Sequence, residues 1–187
     1  MIIQANRSLL LLVDLQSRLT PAIVDADACI DRCRILLSAA RELDVPVRVT
    51  EHCPDALGPT APALRDRLGP DEVLPKVHFN GAAESALFDH LRSLDRTTVV
   101  VCGMETHVCV LQTVLGLKGR GLNPVLVADA TSSRTVTSKA MAIERMRHHG
   151  IDIVTTEMVM FEWLERGDSP AFKTLLPLIK SGKPEEH

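Results

Sequence analysis

Five short apolar runs, separated by stretches with helical periodicity, constrain this chain more than any other feature. "LLLLV" at 9–13, "VPVRVT" at 45–50, "TTVVVC" at 97–102, "PVLVAD" at 124–129 and "DIVTT" at 152–156 are mostly β-branched or leucine, and Gly, Pro or Asp bounds most of them. Apolar runs without alternation are strands buried on both faces, as a parallel sheet requires. A weaker candidate, "EVLPKVHF" at 72–79, contains Pro75, whose missing N–H confines it to an edge strand or a strand end. Between the strands, "DACIDRCRILLSAARELD", "ESALFDHLRSL", "HVCVLQTVLGLKGRG" and "SKAMAIERMRHHG" repeat apolar residues at helical spacing, each ending close to a Gly or Pro. Strands alternating with helices at this pitch imply right-handed crossovers. The expected fold is α/β: one doubly wound, mostly parallel, six-stranded sheet of order 3-2-1-4-5-6 with helices on both faces, Rossmann-like.

Length and charge narrow the reading. A chain of 187 residues is expected to form one domain, 1–187, long enough to bury a substantial core. Lys and Arg total 21 against 24 Asp and Glu, so no basic half exists to follow a phosphate backbone. "RMRHH" at 145–149 reads as a solvated helix end rather than a nucleic-acid site. In the opening "MIIQANRSLLLLVDLQ" only Leu9 to Val13 are consecutively apolar, too few for a signal peptide or a membrane span, and a cytoplasmic protein is expected. The 5 cysteines, an odd number, are then expected to be reduced. The segment 51–76 is long and rich in Pro and Gly, a composition that marks a functional loop. The closing "SGKPEEH" is expected to fray.

In an open α/β sheet, ligands bind beyond the carboxyl ends of the strands, where strand order reverses. Asp14 ends the first strand, Cys109 lies just past the fourth, and Lys76 sits near the weak strand between them. In the order 3-2-1-4-5-6 strands one and four are neighbours, so Asp14 and Cys109 meet at the switch point. A cysteine in the first turn of a helix, or beside a cation, is expected to have a lowered pKa. An aspartate closing a buried strand is poorly solvated, and it can take the thiol proton and later deliver it to a leaving amine. Cysteine with such a partner performs acyl transfer through a thioester. Position alone leaves the bland alternatives open: Asp14 as a turn residue, and Cys109 as inert core.

The segments "LLLVDLQ", "KVHF" and "VVVCGMETHVCV", in that order, resemble the isochorismatase-like cysteine hydrolases, which include nicotinamidases and related amidases. The likeness spans nearly the whole chain and continues in "VADATSSRT" at 127–135 and "TTEMVMFEWL" at 155–164. It implies a catalytic triad of Asp14, Lys76 and Cys109. It also implies a non-proline cis peptide between Met104 and Glu105, which would turn the backbone N–H groups of Glu105 and Cys109 inward as an oxyanion hole. Thr106 would then be structural, an N-cap. Phe79 and Met104 are the residues expected to meet substrate, with ordinary core an equal reading for Phe79. The resemblance also implies a homo-oligomer, dimer or higher, for which the last helix, with Met158, Met160, Phe161 and Trp163, is a candidate contact.

One departure bears on the substrate. Nicotinamidases begin a metal site with Asp-x-His after the second strand, whereas here Glu51, His52 and Cys53 are adjacent and no third His follows nearby. No metal and no cofactor are expected, and nicotinamide is not the expected substrate. Isochorismatases proper cleave a vinyl ether and often lack the cysteine, so Cys109 points to an amide or related C–N bond of a small molecule. Cys29 and Cys33, at i and i+4, read as packing residues, and Cys102 as buried. His107 could line the site or an interface. Two rival readings remain: a non-catalytic binding or scaffold module that keeps the fold, and a redox sensor pairing Cys109 with Cys102 or Cys53.

Overall fold

A computed structural model describes residues 2–181; the closing "SGKPEEH" lies, beyond Ser181, outside the described residues. The apolar runs become β1 (Ser8–Val13), β2 (Val47–His52), β4 (Thr98–Met104), β5 (Asn123–Ser132) and β6 (Asp152–Val154), and the Pro75 segment becomes β3 (Val73–Lys76). Their order is β3-β2-β1-β4-β5-β6, every pairing parallel. Pro75 thus stands on an edge strand, where its missing donor costs no ladder hydrogen bond.

Side chains alternate between two apolar layers, one on each face of the sheet. Leu10, Leu12, Val100, Cys102 and Met104 face α1 (Ala26–Glu42), α7 (Thr156–Leu164) and α8 (Pro170–Ser181). Leu9, Leu11, Val13, Val99 and Val101 face α4 (Ser85–Ser93), α5 (Leu111–Gly119) and α6 (Val136–His148). That all six residues of β1 are buried follows from its central place, covered on both faces and paired on both edges. Trp163 closes the first layer, its indole N–H donating to Ser8 Oγ at 3.1 Å. The sequence reading stopped at α7. Beyond it α8 packs its Leu175 into the same layer, and Phe172 stacks on Phe161 at 6.3 Å. On the opposite end of α6, "RMRHH" is solvated except for Met146, which is core.

The segment after β2 folds into two single-turn helices, α2 (Pro54–Leu57) and α3 (Pro62–Arg65). It is strapped to the residues after β1: Gln16 Nε2 donates to the carbonyls of His52 and Gly58, and Arg18 donates to those of Asp55 and Ala56. Two loops at the carboxyl edge are therefore one hydrogen-bonded unit. Among the described residues, no helix is long and apolar enough to cross a membrane.

Candidate active site

Asp14 follows the last residue of β1 with φ 50°, a left-handed conformation that Asp tolerates better than most residues. Its N–H still continues the ladder to the Thr50 carbonyl at 3.0 Å, and the Thr50 hydroxyl donates to Oδ1 at 2.7 Å. Oδ2 faces Lys76 Nζ at 2.7 Å, both side chains having 0% exposure. Lys76 ends β3, and β2 lies between β3 and β1. Strand spacing of ~4.8 Å makes that a lateral gap of about 10 Å, which needs a long, flexible cationic side chain. The Lys76 ammonium also donates to the His78 carbonyl at 3.1 Å.

Cys109 approaches from the other side. Gly103, in β4, has φ 124°, and a Cβ there would sit 2.1 Å from the Val13 carbonyl oxygen. Only glycine lets β4 run this close to β1 just before the turn. The Met104–Glu105 peptide is cis, and the chain then forms a π-helical turn, Thr106–Val110, that leads into α5. Cys109 lies in that turn, buried, with its thiol close enough to Asp14 and Lys76 to feel the charge of both. The three residues singled out in the sequence therefore converge at one point on the sheet edge.

The electrostatics reverse one expectation. Burial, then the charge and hydrogen bonding of Asp14, push the Cys109 thiol up to about 12, and Lys76 only partly offsets them. The nearby cation does lower this pKa, but by less than burial and the Asp14 carboxylate raise it. Without substrate the thiol keeps its proton, and Asp14 Oδ2, which takes no directional hydrogen bond despite the nearby ammonium, is the acceptor beside it. The sign for stability follows: the folded thiol binds its proton more tightly than an unfolded one, so this contribution is intact below the ordinary value of 9.0 and is lost as pH rises toward about 12. Wild type should lose thermal stability more steeply than Cys109→Ala over that range, and parallel melting profiles would refute the assignment.

The turn is held by partners that no local pattern announces. The opening of β5's register, where Val101 pairs with Leu126 but Gly103 with Thr131, is a bulge that brings Ser132, Ser133 and Arg134 back over the end of β4. Arg134 then donates from Nε and its backbone N–H to Glu105 Oε2, at 2.9 and 3.2 Å. Thr131 donates to the Gly103 carbonyl at 2.7 Å, so the Thr106 hydroxyl must be the donor in its 2.9 Å contact with Thr131 Oγ1. Thr106 is thus structural but not a cap. His107 Nδ1 meets Ser133 Oγ at 3.0 Å, tying it to β5.

The residues expected to meet substrate fare differently. Phe79 is 51% exposed and lies against the His52 ring at 5.0 Å, so it is not core. Met104 has 0% exposure and packs among Leu12, Leu36 and Cys102, because its place in β4 directs its side chain away from the Cys109 layer. It has no side-chain surface to offer a ligand. Cys102 and Cys109 lie in opposite layers, which removes Cys102 as a resolving partner. Instead Cys102 neighbours Cys33, whose thiol burial holds well above its usual value. Of the adjacent trio at the end of β2, Glu51 is engaged by Thr60 and by Arg65, while His52 Nδ1 is buried and has no hydrogen-bond partner among the described residues. Burial and the charge of Lys76 lower the pKa of His52, which keeps its imidazole neutral.

A doubly wound sheet with a cysteine, an aspartate and a lysine at its switch point defines a class of hydrolase. The isochorismatase domain matches residues 8–158, and the chain belongs to the isochorismatase-like cysteine hydrolase family. Isochorismatase domain-containing protein 1 of Danio rerio is 40% identical over 92% of this chain, which spans 60% of that protein's length. The MAR1 ribonuclease of Caenorhabditis elegans superimposes with a TM-score of 0.91 at 34% identity, covering 98% of this chain and 94% of its own. An octameric hydrolase of unknown specificity from Escherichia coli shares the fold, with a TM-score of 0.89 at 20% identity over 96% of this chain and 92% of its own.

Proposed function

We propose that this protein hydrolyses an amide or related C–N bond of a small molecule through a thioester on Cys109. Cys109 Sγ attacks the carbonyl as its proton passes to Asp14, Lys76 stabilises the anions, and the backbone N–H groups of Glu105 and Cys109 receive the oxyanion. Asp14 returns the proton to the leaving amine or ammonia, and water then resolves the acyl-enzyme. The observation that carries this reading is the Asp14–Lys76 pair at 2.7 Å, wholly buried, with the Cys109 thiol close enough to feel both charges. A buried ion pair is a poor source of stability, so its retention fits a chemical role. Phe79, half exposed beside Lys76's strand end, supplies an apolar wall to the pocket.

The test is ammonia release from a panel of small amides and ureides, with Cys109→Ala as the blank. Cys109→Ala is expected to abolish turnover, and near-wild-type activity on a verified substrate would sink the proposal. A catalytically silent binding module would release no ammonia from any member of the panel. The description of the worm relative as a ribonuclease supplies a second reading, phosphodiester cleavage at the same site. Against it, the Lys76 charge is matched by Asp14, leaving the triad no uncompensated cation for a phosphodiester, on a chain of net charge -3. RNA cleavage that Cys109→Ala eliminates would instead favour it.

Both apolar layers share one sheet, which supports reading the chain as one domain. The octameric relative supports a homo-oligomer, for which the exposed Met158 and Phe161 of α7 are the available apolar contacts. Met160 and Trp163, buried within this chain, are not. The thiols Cys29, Cys33 and Cys102, all free and buried, fit a reducing, cytoplasmic setting.

A further inference from the structure

Lys76 is fixed by a device that lies outside the triad. Its ammonium forms an ion pair with Asp14 Oδ2 at 2.7 Å and donates a hydrogen bond to the His78 carbonyl at 3.1 Å. The ion pair sets how near the ammonium lies to Asp14, and the hydrogen bond sets which way it turns. The His78 carbonyl belongs to a surface loop in which Val77 and His78 are both exposed, so packing does not hold it. One oxygen does. Glu84 Oε1 accepts from the Val77 N–H at 2.7 Å, from the His78 N–H at 2.9 Å, and faces His78 Nδ1 at 2.9 Å. These bonds hold the Glu84 carboxyl down at about 2, so it is a carboxylate at any working pH. Glu84 itself opens α4, which is anchored by buried Leu87, Phe88 and Leu91.

We propose that Glu84 is a positioning residue for Lys76: by clamping the Val77–His78 backbone to α4, it holds the His78 carbonyl that orients the ammonium, and so keeps the ammonium beside Cys109. The proposal rests on Lys76 acting on Cys109, as read above. A clamp of this kind is needed because Lys76 reaches its partner across an intervening strand, and a long side chain bound at one point would swing.

The experiment follows iodoacetamide modification of Cys109 in the full chain, without substrate, at one alkaline pH, with the modified peptide quantified by mass spectrometry. An ammonium held beside Cys109 favours the thiolate, so Glu84→Ala, which releases the His78 carbonyl that holds it, is expected to slow modification about tenfold, the worth of one charge-assisted hydrogen bond. Glu84→Gln, which keeps an acceptor oxygen, should restore most of the rate. A merely structural role has the opposite sign, since a loosened fold exposes the thiol and speeds modification. Unchanged or faster modification in Glu84→Ala overturns the proposal. If Glu84→Ala does not fold, His78→Ala, which removes one of the three bonds, is expected to slow modification by a smaller factor, and an unchanged rate again overturns it. Lys76→Met separates the two readings: if it slows modification and Glu84→Ala does not, only the clamp fails, whereas if Lys76→Met has no effect the role given to Lys76 fails as well.

Discussion

Asp14→Asn should leave a protein destabilised by roughly 3–5 kcal/mol, the cost of breaking a buried ion pair by removing one partner. The amide keeps the size of the side chain and can still accept from Thr50, but the Lys76 charge loses its match in a place with no solvent. Turnover should fall about a hundredfold to ten-thousandfold, because the proton acceptor for Cys109 is gone. The two losses are separable. In Asp14→Asn with Lys76→Met, the uncompensated charge is removed along with its partner, and most of the stability should return while activity does not. Urea unfolding of the single and double variants measures the coupling, and a double variant no more stable than Asp14→Asn would mean that the pair is not coupled in the folded protein.

Gly103→Ala should be the most damaging small substitution outside the triad. The added methyl meets the oxygen of Val13 at 2.1 Å and its nitrogen at 2.7 Å, and these are backbone atoms of the central strand. Neither can yield as a flexible side chain would. The φ of 124° adds strain for any residue with a Cβ. Overpacking and backbone strain together predict a loss of about 3 kcal/mol or more. Relief requires β1 and β4 to part just where Asp14 and Cys109 must meet, so activity should vanish even in the fraction that folds. Denaturant midpoints and ammonia release measured on the same preparation test both halves. A variant with wild-type stability would show that the two strands have slack that their contacts do not suggest.

What could be read from the sequence was set by local chemistry. The apolar runs gave strands because burial on both faces leaves no alternation to interpret, and Pro75 marked the edge by its missing donor. Strand order then carried Asp14, Lys76 and Cys109 to one point, although they are far apart in the chain. What escaped the reading depends on contacts between distant segments. The Arg134–Glu105 latch arises from a bulge in β5, and the Glu84 clamp from a loop folding back on the helix that follows it. The direction of the Cys109 shift was misjudged because helix position and a nearby lysine are visible in sequence, whereas the balance of desolvation and a paired carboxylate is not. Met104 was expected to meet substrate, but the face on which its side chain falls is decided by its place in β4, which buries it in the layer opposite Cys109.

The reach of Lys76 over β2 has a consequence for how such a protein can change. Acid, cation and nucleophile come from the end of β1, from β3 and from the turn after β4, and the strand between the first two contributes Thr50, whose hydroxyl and carbonyl both hold Asp14. Beyond Thr50, β2 continues into His52 and the strapped segment that follows, beside Phe79. The chemistry is thus an arch whose footings stand on either side of the span that can touch a ligand. Residues from His52 onward are free to drift toward a new substrate while the distances between the reacting groups stay as they are, so a family built on this plan can diversify its menu without reinventing its blade.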